Sequence, residues 1–582
     1  MTNEALAAVL DEIADLLEIG NAEVFRVRTY RRAAEVTRDF AGDVAALHAE
    51  HNLQSIPGIG KSLAATIGEL IETGTCAHRE ELRAEFPPGL LEMLAIPGFG
   101  PKKAALVYRE LGLTSVDELE AAARGQLVRK LPGLGAKSEE KLLHNIGLYR
   151  QSRERKLLGE AWPRAMELVA LLTDHPAVRQ VSPAGSLRRK RETIGDMDLL
   201  ATSSDAPGIC DFFAELPSFS EVLAHGDTKV SALFPDGLQV DLRVVEPVSY
   251  GAALLYFTGS KAHNIELRER AQRQGLTINE YGVFEVTPDG ERGRQVAGET
   301  EEDVYAAVGL PWIAPELREA RGEIEAAAAG RLPPLIERGD LRGDLQMHTR
   351  YSDGAATVED MARAAIALGH EYIGITDHSV SLRVAGGLSE DDLRRQRDEI
   401  AAVNAKLAEE GVDCHVFHGT ELEILSDGSL DYSEEVLAGL DFVLASIHQG
   451  FSPDEQRIMG RFRAALDNPY VTCIAHPTGR VINRREPYAV NMPQLIEWAA
   501  ERDVALEINS YPERLDLNDI NARLARDAGV DLLINTDAHR PAQLAFCDYG
   551  VAVARRGWLE AKDVVNTRPR AEFEQWLKRR RS

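Results

Sequence analysis

Asp196 and Asp198 stand two residues apart, and Asp241 follows in the β-like run 238–245. Alternate residues of a strand share a face, so Asp196 and Asp198 project together while Met197 and Leu199 turn towards a core. The same alternation puts Asp241 on the polar face, with Val240, Leu242 and Val244 inside. Three carboxylates on neighbouring strands can hold two Mg²⁺ or Mn²⁺ ions roughly 3.5–4 Å apart, one activating an attacking oxygen and one a leaving group. Asp241, touching only the first ion, is placed to take or orient the proton of a hydroxyl nucleophile. Asp-x-Asp alone is more often an exposed strand edge. The upstream Gly185-Ser186 pair shifts that balance, because it offers backbone amides and a hydroxyl to a triphosphate. Arg188 or Arg189 adds bidentate charge beside it.

A second constellation fills the last third of the chain. His348, Asp353, His378, Glu421, His448, His476, Asp537 and His539 mostly follow short apolar runs. In a parallel α/β domain such positions converge at the mouth formed by the strand ends. Imidazoles and carboxylates together suit Zn²⁺ or Mn²⁺, and several bridged ions suit phosphoester hydrolysis. One such histidine would more often be structural; seven successive segments carrying these residues argue for a metal centre.

A third signal is a repeat. Ile56-Pro57-Gly58-Ile59-Gly60, Ile96-Pro97-Gly98-Phe99-Gly100 and Leu131-Pro132-Gly133-Leu134-Gly135 each precede an apparent helix. Glycines spaced by one residue ahead of a helix let backbone N–H groups converge on a phosphate. A single copy reads as a simple turn, whereas three copies read as sequence-independent contact with a nucleic-acid backbone.

These residues need elements to hold them. The first 150 residues read as helical, with Leu6, Val9, Leu10, Ile13, Leu16 and Leu17 at helical spacing. Short β-like runs dominate from about 175 to 250, and 251–312 mix helix and turn. The Ala- and Glu-rich stretch 315–329, followed by Arg331-Leu332-Pro333-Pro334, reads as a linker. From 343 to about 576, β-like runs alternate with amphipathic helices, which predicts an α/β barrel.

The 582 residues, 44% of them hydrophobic, exclude a disordered chain and allow three to five domains. No apolar run approaches the roughly 20 residues of a membrane span. Five scattered cysteines without a CxxC pair suggest reduced thiols and a cytoplasmic protein. The net charge of −27 looks unfavourable for a partner made of phosphates. Local patches decide such binding, and the run Arg188-Arg189-Lys190-Arg191 is expected to supply one.

The Gly-Ser…Asp-x-Asp…Asp set resembles the nucleotidyltransferase superfamily, and the repeats resemble helix-hairpin-helix motifs. The run Tyr256-Phe257-Thr258-Gly259-Ser260-Lys261-Ala262-His263-Asn264, then Arg268 and the segment 275–281, narrows this to a resemblance to the family X DNA polymerases over about 1–315. That resemblance implies that Gly185, Ser186 and Arg189 bind the triphosphate, and that Tyr256, Phe257 and Gly259 form the turn beside the incoming sugar. It implies that Asn264 meets the incoming base and that Arg268 meets the template strand. Gly58, Gly60, Gly98, Gly100, Gly133 and Gly135 would then contact the DNA backbone. Two departures stand out: Lys261 replaces an acid near the base, and Thr66 and Ser62 fall where the family has its lyase and phosphate-binding lysines. The second departure argues against deoxyribose-phosphate lyase activity.

The histidine-rich segment resembles the PHP (polymerase and histidinol phosphatase) domain over about 341–575, a distorted seven-fold barrel with a trinuclear metal site. The eight residues named above match its ligands; Gln346 stands where the family has a further histidine, which predicts one weaker metal. Both halves together resemble bacterial and archaeal PolX enzymes. The implied fold is a multidomain α/β chain. Its parts are a helical DNA-binding domain at 1–88, a helical fingers-like region at 89–150, a nucleotidyltransferase palm with a mixed sheet at 151–250 and a small α+β thumb at 251–315. A linker at 316–340 then leads to a (β/α)7 PHP barrel at 341–582. The implied activity is gap-filling DNA synthesis with 3′→5′ exonuclease and possible 3′-end or abasic-site processing, on primer–template DNA and dNTPs. A monomer without membrane association, placed in the cytoplasm with the nucleoid, is expected. The alternatives are a PHP phosphoesterase with a DNA-binding front half and a non-catalytic DNA-end scaffold.

Overall fold

The computed structural model describes residues 3–39, 44–49, 51–56, 58–96, 98–287, 292–451 and 454–579. Pro57 and Pro97 of the first two repeats lie outside the described residues. The chain divides into two compact units, one of residues 1–153 with 483–485 and one holding the rest.

The first unit is helical, as its periodicity predicts. The helix Asn3–Ile19 turns Leu6, Leu10, Ile13 and Leu17 into a core with Ile59, Leu63, Ile67 and Leu70. A second core gathers Leu90, Met93, Phe99, Val107, Leu119 and Ile146.

The second unit begins with a five-stranded sheet in the order Val178–Pro183, Asp196–Ser203, Gln239–Val244, Lys229–Leu233, Glu221–His225. The sheet is mixed: Asp196–Ser203 and Gln239–Val244 run parallel, and the other neighbours run antiparallel. Strand Glu221–His225 carries no sequence signal because it is an edge strand exposed on both faces, so nothing selects apolar alternation. A small domain follows, with helices Tyr250–Thr258 and Lys261–Gln272 beside an antiparallel three-stranded sheet.

The segment expected to be a linker is instead packed. Leu317, Ile324, Ala326 and Ala327 join the core of the small domain together with Trp558 of the barrel. Arg318 and Glu323 within it are fully buried. An Ala/Glu-rich composition reads as a spacer only until its charged groups find buried partners.

The C-terminal domain is a ring of parallel strands alternating with helices, from Gly343–Asp344 to Leu532–Asn535. His415–His418 and Glu421–Glu423 act as one bent strand that joins its two sheets, because the first pairs with Tyr372–Ile375 and the second with Leu444–Ser446. The ring closes where Met347 bridges Ala538, and Asn566 donates to the carbonyls of both Gly343 and Ile534.

Candidate functional site

In the three repeats Gly58, Gly98 and Gly133 have φ of +95°, +71° and +78°, the left-handed region that glycine enters without a Cβ penalty. In each, the residue after that glycine (Ile59, Phe99, Leu134) donates its N–H to the residue three before it and buries its side chain. Gly60 and Gly100 cap helices Lys61–Thr73 and Pro101–Leu111, and Gly135 precedes Ala136–Glu154. The space beside Gly60, Gly100 and Gly135 is open. The buried residue anchors the loop, while the capping glycine leaves helix-terminal N–H groups accessible to an anion.

In the palm sheet Asp198 and Asp241 are register partners on adjacent parallel strands, and Asp196 lies two residues along the same face. Met197, Leu199, Val240 and Leu242 are buried behind them, so the alternation read from sequence holds. Gly185, at φ +62°, sits against Asp198, and a Cβ there would collide with its carboxylate. Burial, then the charges of Asp196 and Asp241, push Asp198 up to about 6. Burial would raise Asp241 too, but hydrogen bonds from Gln239, Lys229 and Ser231 prevail and hold it below its ordinary value. Lys229 Nζ lies 2.9 Å from Asp241 Oδ2. Two carboxylates crowded onto one face with their pKa values driven apart form a site that gains from bound cations.

The basic run beside this site is not an open patch. Arg188 is held bidentately by Glu301 at 2.7 and 2.9 Å. Arg189 donates to Glu319 at 2.9 Å and to the Thr258 carbonyl at 2.7 Å. Lys190 lies over Trp162, and burial pushes its pKa down to about 7. Acidic residues far along the chain neutralise the run, which local sequence could not reveal. Of the residues expected around a nucleotide, Ser186 lies in the single turn Gly185–Arg188, and Tyr256 and Phe257 meet edge to face at 5.2 Å near the end of helix Tyr250–Thr258. Gly259 leaves room for Asn264, whose amide donates to the Tyr256 carbonyl at 2.7 Å. Arg268 is exposed one turn further on and donates to the Asn264 carbonyl.

The barrel mouth brings all eight expected ligands together. Glu421 is the hub: its carboxylate lies 2.7 Å from His476 Nε2, 3.2 Å from His378 Nδ1, 3.2 Å from His448 Nε2 and 3.5 Å from His348 Nε2. Asp353 faces His348, His378 and His539 at 3.8, 3.5 and 3.4 Å, and Asp537 lies 3.1 Å from His348. Three overlapping ligand groups result: His348, Asp353, His378 and His539; His378, Glu421 and His448; and His348, Glu421 and Asp537. The donor set fits divalent metals, because His348 Nδ1, His378 Nδ1, His476 Nδ1 and Glu421 Oε2 are buried without hydrogen-bond partners. Burial would lower His348, yet its hydrogen bond to Asp537 and the charges of Asp353, Asp537 and Glu421 push it up to about 10. The carboxylates thus draw protons where they would otherwise draw cations.

Gln346 is fully buried with its amide against the Glu507 carboxylate, which also accepts from the His476 N–H at 2.8 Å and from Asn535 at 2.8 Å. Two acidic residues, Glu423 and Glu507, escaped sequence reading. Glu423 lies 2.9 Å from His448 Nδ1 and fixes that ring. Its position two residues beyond Glu421, on the same strand face, is the signal that could have found it.

Comparison with known proteins matches residues 1–76 to a helix-hairpin-helix domain and 90–144 to a SAM-like helix-hairpin-helix tandem. Residues 253–319 match the DNA polymerase beta thumb, and 344–510 match the PHP domain. The DNA polymerase/3′-5′ exonuclease PolX of Bacillus subtilis (strain 168) is 40% identical over 581 residues, covering 100% of both chains. DNA polymerase lambda of Rattus norvegicus is 27% identical over 51% of this chain and 52% of its own. DNA-directed DNA/RNA polymerase mu of Homo sapiens is 27% identical over 55% of this chain and 69% of its own.

Proposed function

The chain belongs to the PolX family of DNA polymerase/3′-5′ exonucleases, and from that premise we propose how its residues divide the two activities. It is a family X DNA-directed DNA polymerase with a PHP-domain exonuclease, acting on DNA and dNTPs. Asp196, Asp198 and Asp241 hold the divalent metals of synthesis, and the observation carrying this reading is the register pairing of Asp198 with Asp241 beside Gly185. Bound metals supply charge stabilisation for the transferring phosphoryl group. Asp241, kept ionised by Lys229 and Gln239, orients or accepts the proton of the primer 3′-hydroxyl. Gly185, Ser186 and Arg189 receive the triphosphate, Tyr256, Phe257, Gly259 and Asn264 border the incoming nucleotide, and Arg268 meets the template. The six repeat glycines hold the DNA backbone.

His348, Asp353, His378, Glu421, His448, His476, Asp537 and His539 hold the barrel metals, with Glu421 shared among them. Glu423 and Glu507 orient His448 and the His476 backbone. Mg²⁺ or Mn²⁺ in the palm and Zn²⁺ and/or Mn²⁺ in the barrel follow from the donor types. Gap filling in repair, the domain limits given above, a monomeric state and a cytoplasmic, nucleoid-associated place complete this reading.

A primer–template assay with Mg²⁺ or Mn²⁺ separates the sites. Asp198→Ala is expected to lose extension by at least about 10³-fold while still shortening the primer, and His378→Ala to do the reverse. Undiminished extension in Asp198→Ala would sink the palm assignment.

A further inference from the structure

The run 188–191 spends its charge internally, yet positive charge also concentrates where the packed segment after the thumb meets the barrel. A cavity of about 480 Å³ opens there, lined by Arg321, Arg331, Arg523 and Arg526 with Trp558 and Glu560. Its acids are already committed. Asp519 is shared by Arg321 at 2.9 Å and Arg556 at 2.8 Å, Asp527 takes Arg526, and Glu560 takes Lys562. Arg331 is exposed and Arg523 half-buried, and neither has a carboxylate within ion-pair distance among the described residues. Arg523 lies over the Trp558 ring at 4.2 Å and, among the described residues, donates only to the Arg321 carbonyl, at 3.3 Å. Burial first, then the charge of Arg526, holds its pKa below the usual range against the opposing charges of Asp527 and Glu323.

Arg331 and Arg523 add two guanidiniums without ion pairs among the described residues to this cluster, and like charges repel unless an anion completes the arrangement. Five arginines and one lysine here face four carboxylates, Glu319 being the second partner of Arg556 at 3.0 Å, in a chain of net charge −27. The forked donors of arginine match phosphate oxygens. The cavity of about 480 Å³ suits a nucleotide unit rather than the bulk of a duplex. We propose that this pocket binds the phosphates of a single DNA strand, separately from both metal centres. The choice of DNA as the phosphate source rests on the polymerase–exonuclease reading; the phosphate chemistry does not.

The test is anisotropy of a labelled single-stranded phosphorothioate oligonucleotide, which resists trimming, titrated with the full chain over a range of salt. Arg331→Ala and Arg523→Ala should each weaken binding about 3- to 10-fold. The double variant should flatten the slope of log affinity against log salt by about 1.4, near 0.7 for each lost phosphate contact. Arg331→Lys should restore the slope, because it restores the charge. Extension of a gapped duplex and the KM for dNTP should not change. Arg331 is exposed, so Arg331→Ala should melt like wild type, which separates lost binding from lost folding. Unchanged affinity and slope in a folded double variant would overturn the proposal. Weaker dATP binding with intact oligonucleotide binding would reassign the pocket to free nucleotide and overturn it for DNA. Failure of the polymerase–exonuclease reading would show instead as wild type neither extending nor shortening any primer.

Discussion

Asp198 is shaped as much by what is missing beside it as by its charged neighbours. Gly185 combines a left-handed φ of +62° with a Cβ position taken up by the Asp198 carboxylate. A side chain there is strained twice, by backbone conformation and by contact with the group expected to bind metal. Gly185→Ala is therefore predicted to cost roughly 1–2 kcal/mol from the backbone alone, and to reduce extension by more than tenfold while leaving primer shortening intact. Parallel melting and activity assays check this; full extension in the variant would mean that Asp198 tolerates displacement. At this scale the sequence was highly legible. Residue types and a two-residue spacing placed the triad on one face, and strand-end positions gathered the eight expected barrel ligands. The environments were not legible: nothing near Asp241 in sequence reveals the ion pair with Lys229 from the neighbouring strand.

The helix Glu301–Ala307 shows how one element can be fastened by a single carboxylate. Glu301 accepts bidentate hydrogen bonds from Arg188 of the palm and from the buried Arg318, and a bond from Trp312 Nε1 at 2.9 Å. Burial would raise its pKa, but Arg318 and then Arg188 prevail and bring it down to about 2 from 4.5. A depressed carboxylate contributes stability above its unfolded pKa, and the contribution drains away as pH falls through the folded one. The window is thus from about 4.5 down to 2, and the contribution is on the order of 3 kcal/mol. Glu301→Gln should therefore unfold more readily than wild type in urea at pH 7, with the gap closing as pH approaches 2. A gap independent of pH would show that packing, not charge, fastens the helix. The sequence marked helices by periodicity but read 316–340 as a spacer, because the partners of Arg318 and Glu323 lie in other elements.

Palm, thumb and barrel share one compact unit, and a line of ion pairs joins the polymerase and nuclease halves within it. Glu319 Oε1 receives Arg189 at 2.9 Å and Arg556 of the barrel at 3.0 Å, and Arg556 also donates to the Arg189 carbonyl at 2.8 Å. Arg480 of the barrel reaches Glu192 of the palm at 2.7 Å. With Arg556 removed, Glu319 would hold Arg189 more tightly and surrender it less readily to a triphosphate. Arg556→Ala is predicted to raise the KM for dNTP several-fold with little change in kcat, while the nuclease persists; steady-state kinetics on a gapped substrate decide it. An unchanged KM would mean that Arg189 does not exchange Glu319 for nucleotide.

The sequence alone determined what recurs locally: the helix-preceding glycine loops, the alternating strands of the triad and the spacing of the barrel ligands. Each depends on backbone geometry over a few residues, so a short window of sequence contains it. Only the tertiary structure decided which charges remain available. It paired Arg188, Arg189 and Arg191 with distant acids, turned Gln346 onto Glu507 and left Arg331 and Arg523 without an ion pair among the described residues. Electrostatic partnership is set by distance in space, and residues hundreds of positions apart settle it.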